Sequence, residues 1–195
     1  GDVGGTGTLV NAGTVRKTID ATRTISAVVN SVGGTWDEQG AGSLFLTGGG
    51  DHSGAFTVTA GDVFLSGGTH TFAAGSVSGA GKLRVTTGST AVIDGTLVMD
   101  GHLLLEGSGV LQGGVSAVLS EGSGDSALNG GSIEGTLTSQ GLMFVHGNVT
   151  GTGTLVNAGT VRKTISGNHT ISAVVNNVGG TWDEQGAGSL FLTGG

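Results

Sequence analysis

The residues of this chain best suited to metal binding or proton transfer are five histidines, His52, His70, His102, His146 and His169. Locally built metal sites bring imidazoles together at HxH, HxxxH or HExxH spacing, and none of the five stands at such a distance from another. Surface or ladder histidines are therefore expected. Asp51-His52 has the composition of an acid/base pair, but it sits in the turn Gly49-Gly50-Asp51-His52 with no GxSxG nucleophile signature beside it. Asp62, Lys82 and His102 recur at intervals of 20 residues. Clustered outward carboxylates and bases serve carbohydrate-cleaving β-proteins, yet a stacked outer ladder of alternating charge is the simpler reading here. Asp94 and Asp100 each precede Gly, a common turn pair.

Other motifs are weaker. Gly122-Ser123-Gly124-Asp125 is one imperfect copy of a calcium-binding nonapeptide, which works only in tandem. Gly79-Ala80-Gly81-Lys82 has Ser76 and Leu83 where a phosphate loop needs Gly and Ser or Thr. No catalytic residue, metal or cofactor is expected. The two tryptophans stand in Trp36-Asp37-Glu38-Gln39 and its duplicate Trp182-Asp183-Glu184-Gln185. An exposed Trp beside acids offers a face to a sugar ring or a neighbouring fibre, which makes Trp36, Asp37, Glu38, Trp182, Asp183 and Glu184 the candidate surface contact. A Trp packed over the end of an apolar ladder is the favoured alternative. Asn148-Val149-Thr150 and Asn168-His169-Thr170 read as glycosylation sequons, but the corresponding first-copy residues are Asp2 and Thr22, so coincidence explains them better.

The elements that must position these residues are short strands. Gly is 43 of 195 residues, Pro and Cys are zero, and β-branched residues are abundant. Gly is costly inside elements and favoured at corners, so this mixture describes strands joined by sharp turns. Collagen is excluded because Gly is not at every third position; disorder is excluded by the apolar β-branched content at a net charge of only -7. The acidic balance and scattered basic residues argue against nucleic acid. No stretch approaches the length of a membrane span, so direct membrane insertion is not expected. With no Cys, neither disulfides nor thiolate metal sites are available.

Two periods organise the chain. Residues 1–49 recur as 147–195, an offset of 146, with seven differences: Asp2/Asn148, Gly4/Thr150, Asp20/Ser166, Ala21/Gly167, Thr22/Asn168, Arg23/His169 and Ser31/Asn177. The chain thus reads as one continuous segment, 1–195, holding one full unit, 1–146, and the start of the next, 147–195. Inside the unit, apolar strands begin near Ser43, Val63, Leu83 and Leu103, 20 residues apart, with further columns at Phe72, Ile93 and Leu111 and a corner at Gly61, Gly81 and Gly101. Three strands per coil with Gly at the corners predict a parallel β-solenoid, in which Phe45, Leu65, Val85 and Leu105 form one inward column. A 146-residue unit is seven coils plus six residues, read as one longer loop near 121–131. A β-sandwich array is the rival architecture.

Leu44, Leu46, Thr47 and Gly48, followed by Thr57, Val58, Ala60 and Gly61, resemble the glycine-rich strand repeats of autotransporter passenger domains and giant bacterial surface adhesins. The turn between them departs from that pattern. The resemblance covers about twenty residues, transfers no functional residue, and implies a secreted right-handed parallel β-helix on a bacterial cell surface. The expected function is that of a structural fibre, stalk or adhesin rather than an enzyme, with its own repeats as partners and glycans or a neighbouring cell as further ones. The alternative is a carbohydrate-binding or carbohydrate-cleaving β-helix. Ice binding fails, since Thr57-Val58-Thr59 is followed one coil on by Val77-Ser78-Gly79.

Overall fold

A computed structural model describes residues 1–73, 76–99, 102–117 and 126–195. Among these the regular structure is all strand, and every paired strand runs parallel to its partner about one coil away in sequence. The chain is a parallel β-solenoid. Each coil crosses three faces, set in the first coil by Thr8–Asn11, Thr14–Lys17 and Arg23–Ile25. These pair with Val28–Ser31, Thr35–Glu38 and Leu44–Leu46 of the second coil. Hydrogen bonds bridge the corners as well, for example from Thr47 N to Ile25 O at 3.0 Å and from Ser66 N to Leu46 O at 3.1 Å. Backbone polar groups thereby find partners one coil above and below.

Side chains alternate across this wall, as the period of a strand requires. On the third face Leu44, Val63, Leu83 and Leu103 form one buried inward column, and Leu46, Leu65, Val85 and Leu105 form another. Burying a Leu or Val of this kind is worth about 1.5–3 kcal/mol, so a narrow core of stacked aliphatic side chains suffices. Phe45 is not a member of the inward column. It lies opposite Phe64, because the step from Leu46 to Leu65 is 19 residues, and a one-residue slip moves a strand's side chains to the other face. Phe45 and Phe64 point outward and stack with ring centroids 4.4 Å apart at 12°, while the Arg84 guanidinium lies 4.5 Å over Phe64.

Glycine at the corners answers a steric demand. Gly50 has φ of 135°, and a Cβ there would lie 1.9 Å from Val29 O of the coil below. Gly61 and Gly81 hold the expected corner, a Cβ on Gly81 meeting Gly61 O at 2.5 Å; Gly101 lies outside the described residues.

The six residues beyond seven coils are not a loop. Following the first face upward, Leu9 is succeeded by Val29, the Gly50 strand, His70, Ala91, Leu111, the Ser132 strand and Thr150, seven coils in all. The next strand, Thr154–Asn157, pairs with Thr136–Ser139 on the second face. One unit is therefore seven coils and a third. The loop expected near 121–131 falls partly outside the described residues, and 126–131 belong to the strand Ser126–Ile133.

Two outcomes check this architecture. Leu105→Asp, at a fully buried position, should cost several kcal/mol by burying an unpaired carboxylate, whereas Lys82→Ala on the outward side should cost less than about 1 kcal/mol in thermal melts. Gly50→Ala should lower the melting temperature sharply, while Gly13→Ala, where a Cβ meets nothing within 4 Å, should leave it nearly unchanged.

Candidate functional site

The strand Thr35–Glu38 divides its own candidate residues between two faces. Trp36 points inward, is 3% exposed, and stacks over Phe56 with centroids 6.0 Å apart at 20°. Glu38 is also buried, and Lys17 Nζ donates to it at 2.7 Å. Asp37 alone points outward, where Arg16 Nε donates to it at 2.7 Å and Gln39 Nε2 at 2.9 Å. The aromatic-acidic run therefore makes no single surface patch, a correction that follows from strand alternation. In the second copy Asp183 receives Arg162 Nε at 2.8 Å, Glu184 is exposed at 3.6 Å from Lys163, and Trp182 is half-buried.

Lys17 and Lys163 are interior cations. Lys17 Nζ donates to Ile19 O at 2.9 Å and Gly42 O at 2.8 Å besides Glu38, so all three of its donors are used. Lys163, fully buried, donates to Ile165 O at 3.0 Å and Ala187 O at 3.2 Å. Burial pushes the Glu38 carboxyl above the usual range despite the pull of Lys17. These lysines tie corner carbonyls of successive coils together, a structural task.

Two histidines that sequence spacing left apart are in contact. His52 and His70 are both fully buried, with His52 Nε2 3.0 Å from His70 Nδ1. His70 Nε2 lies 3.1 Å from Gly67 O, and a carbonyl only accepts, so His70 carries its proton on Nε2. His70 Nδ1 is then the acceptor and His52 Nε2 the donor, leaving His52 Nδ1 bare; it has no partner among the described residues. Phe56 and Phe72 close around His52 at centroid distances of 5.2 and 5.0 Å. Burial drives both imidazoles down, His52 to about 3 with help from its neighbour and His70 to about 4. The 18-residue spacing, close to one coil, was the available signal.

The column of Asp62, Lys82 and His102 exists as a register, but His102 is buried and the charge pairing runs diagonally. Arg84 Nη1 donates to Asp62 at 2.8 Å, and Arg84 Nη2 and Nε donate to Glu106 at 2.6 and 2.9 Å. Burial raises Glu106, but Arg84 and Asn129 outweigh it and hold the carboxyl below the usual range. An acid catalyst needs the opposite shift. Phe64 has Phe45 on one face and Arg84 on the other, so neither face is open to a sugar. Among the described residues no three His, Asp or Glu gather as a metal site requires. The Asn148 and Asn168 carbonyls accept from the backbone of Thr170 and Ser189 at 2.9 Å, tying coils together.

Two hollows lie at the two ends of the shaft. One, about 280 Å³, is lined by Val15, Lys17, Arg23, Ile25, Trp36 and Glu38 of the first coils. The other, about 250 Å³, is lined by Trp182, Asp183, Glu184, Leu190 and Leu192. Both mix apolar with charged residues.

The histidine pair yields a pH dependence. Both folded pKa values are lowered, so their contribution is intact above the unfolded value of 6.5 and is lost as pH falls, about 1.4 kcal/mol per unit for each histidine until its folded value is reached. Glu38, raised in the folded state, acts in the opposite direction at lower pH. Denaturant titrations at pH 7 and pH 5 should show a marked loss in the parent chain, and a smaller one after His52→Leu with His70→Leu. No family model, curated protein or solved structure matches this chain.

Proposed function

We propose that this chain is a section of a long extracellular shaft, a fibre or adhesin stalk at a bacterial cell surface, assembled from tandem 146-residue units. The observation that carries the reading is how the same residues fare in the two copies. Leu46, Val29 and Trp36 are 0%, 0% and 3% exposed under the coil that follows them, whereas their counterparts Leu192, Val175 and Trp182 are 47% exposed, partly buried and partly buried. Strands of this sequence are built to be covered by another coil. At the other end the relation is reversed: Leu9 and Val15 are only partly buried in the first copy, while their counterparts Leu155 and Val161 are covered by residues of 131–150 and buried. A unit supplies at its tail what the next needs at its head.

The chemistry of the sides supports a mechanical role. The outward carboxylates beside Arg16, Arg84 and Arg162 are spent on neutralising those arginines, and the interior lysines and histidines are spent on neighbouring coils. The extracellular location rests on the resemblance of the Leu44–Gly48 and Thr57–Gly61 motifs to surface-protein repeats.

Denaturing electrophoresis of the protein from its native source tests the reading. A covalent array stays a very large polypeptide, and subunits joined end to end yield units near 18.8 kDa that form filaments in native micrographs. A monodisperse monomer of that size, forming no filament at any concentration, overturns it.

A further inference from the structure

Every strand of the second copy lies one face further round the shaft than its counterpart in the first. Thr8–Asn11 is on the first face, but its equivalent Thr154–Asn157 continues the second, with Val156 opposite Thr138. Thr14–Lys17 is on the second face, but Thr160–Lys163 continues the third, with Arg162 opposite Phe144. Arg23–Ile25 is on the third face, but Ile171 returns to the first, opposite Val149. Three strands shift in the same sense, so the rotation belongs to the unit as a whole. It arises because seven coils and a third, at about twenty residues each, consume 146 residues.

We propose that successive 146-residue units stack in this rotated register, each turned one face beyond the unit before it, so that the shaft is a threefold screw of units. The inference rests on the fibre reading. In the first copy Val28–Ser31, Thr35–Glu38 and Leu44–Leu46 are covered by Gly50–His52, Phe56–Val58 and Asp62–Leu65 of the same unit, and Val174–Asn177, Thr181–Glu184 and Leu190–Leu192 present the equivalent strands one face further round. The residues beneath are unchanged in type except for Ser31, which is Asn177 in the second copy. The joint at which one unit hands over to the next is present whole within this chain, between 131–150 and 154–171, and repeating it repeats its rotation. Inward residues of all three faces join one common core, so a strand turned onto the next face still meets apolar neighbours.

The screw determines what a binding partner meets. The outward cluster of Arg84, Asp62, Glu106 and the Phe45–Phe64 stack occurs once per unit, on the third face in the unit described. In the next unit it faces the first direction, and in the one after that the second. At about 4.8 Å per coil, successive clusters stand about 35 Å apart along the axis, and the pattern closes after three units, about 105 Å. A shaft of this kind shows every surface feature on all sides.

Cross-linking in the 195-residue chain tests the joint directly. Thr138→Cys with Val156→Cys puts two thiols on adjacent strands of one face, within the Cα separation that a disulfide tolerates. Glu134→Cys with Val156→Cys puts them on different faces, whereas a unit of whole coils would bring Val156, the counterpart of Val10, back over Glu134. Oxidation is expected to close the first pair and leave the second open; closure of the second pair alone overturns the rotation. A recombinant chain of three full units, reconstructed by electron microscopy, is expected to show a rise of about 35 Å per unit and a rotation one third of a turn beyond the twist that the coils accumulate. Rotation by coil twist alone overturns the screw. A native source that yields no array overturns the fibre reading and leaves both measurements to decide the geometry separately.

Discussion

The structure depends on one repeated interaction, the parallel hydrogen-bonded ladder between a strand and its counterpart one coil away. Because each coil pairs only with the coils above and below, the ladder fixes the register of every side chain on all three faces at once. The inward columns of Leu, Val and Ile, the outward Phe45–Phe64 stack and the tight approach at Gly50 are consequences of that register. A chain with few large apolar residues can fold in this way because each side chain needs to fill only the thickness of one coil.

The ladder also explains the interior polar residues. Asn11 donates to Ser31 Oγ at 3.0 Å and Thr35 O at 3.2 Å and accepts from Gly13 N at 3.0 Å, closing a corner from inside the shaft. Asn157 makes the corresponding contacts with Asn177, Thr181 and Gly159 at 3.0, 3.0 and 3.2 Å. Ser31 and Asn177, one of the seven differences between the copies, both serve as acceptor, which is why the exchange is tolerated. Lys17 and His70 belong to the same class, polar groups buried because a neighbouring coil satisfies them, while His52 is met on Nε2 alone.

Periodicity in the sequence predicts the solenoid, its coil length and most of its inward columns, since stacking turns spacing into contact. It fails where spacing varies by a single residue. The 19-residue step after Leu46 placed Phe45 outside rather than in, and the six residues left over from seven coils resembled a loop although they carry the chain onto another face. Trp36 packs inward, the favoured of its two readings, whereas Glu38, offered as a surface contact beside it, is buried because the run occupies alternating positions of a strand. The His52–His70 contact was hidden because it runs diagonally between strands: His52 lies opposite Phe72, and His70 opposite Gly50.

The direction of the ladder has a mechanical consequence. The inter-coil bonds lie along the shaft axis, so tension between its ends loads a single coil at a time and opens that coil's bonds in succession. Each freed coil replaces an axial thickness of about 4.8 Å by some twenty residues of extended chain, a gain on the order of 60 Å. With no Cys in the sequence, no covalent cross-link limits the process. A solenoid of this construction lengthens many-fold before its backbone bears the load, and each released coil can rewind onto the template left exposed beneath it.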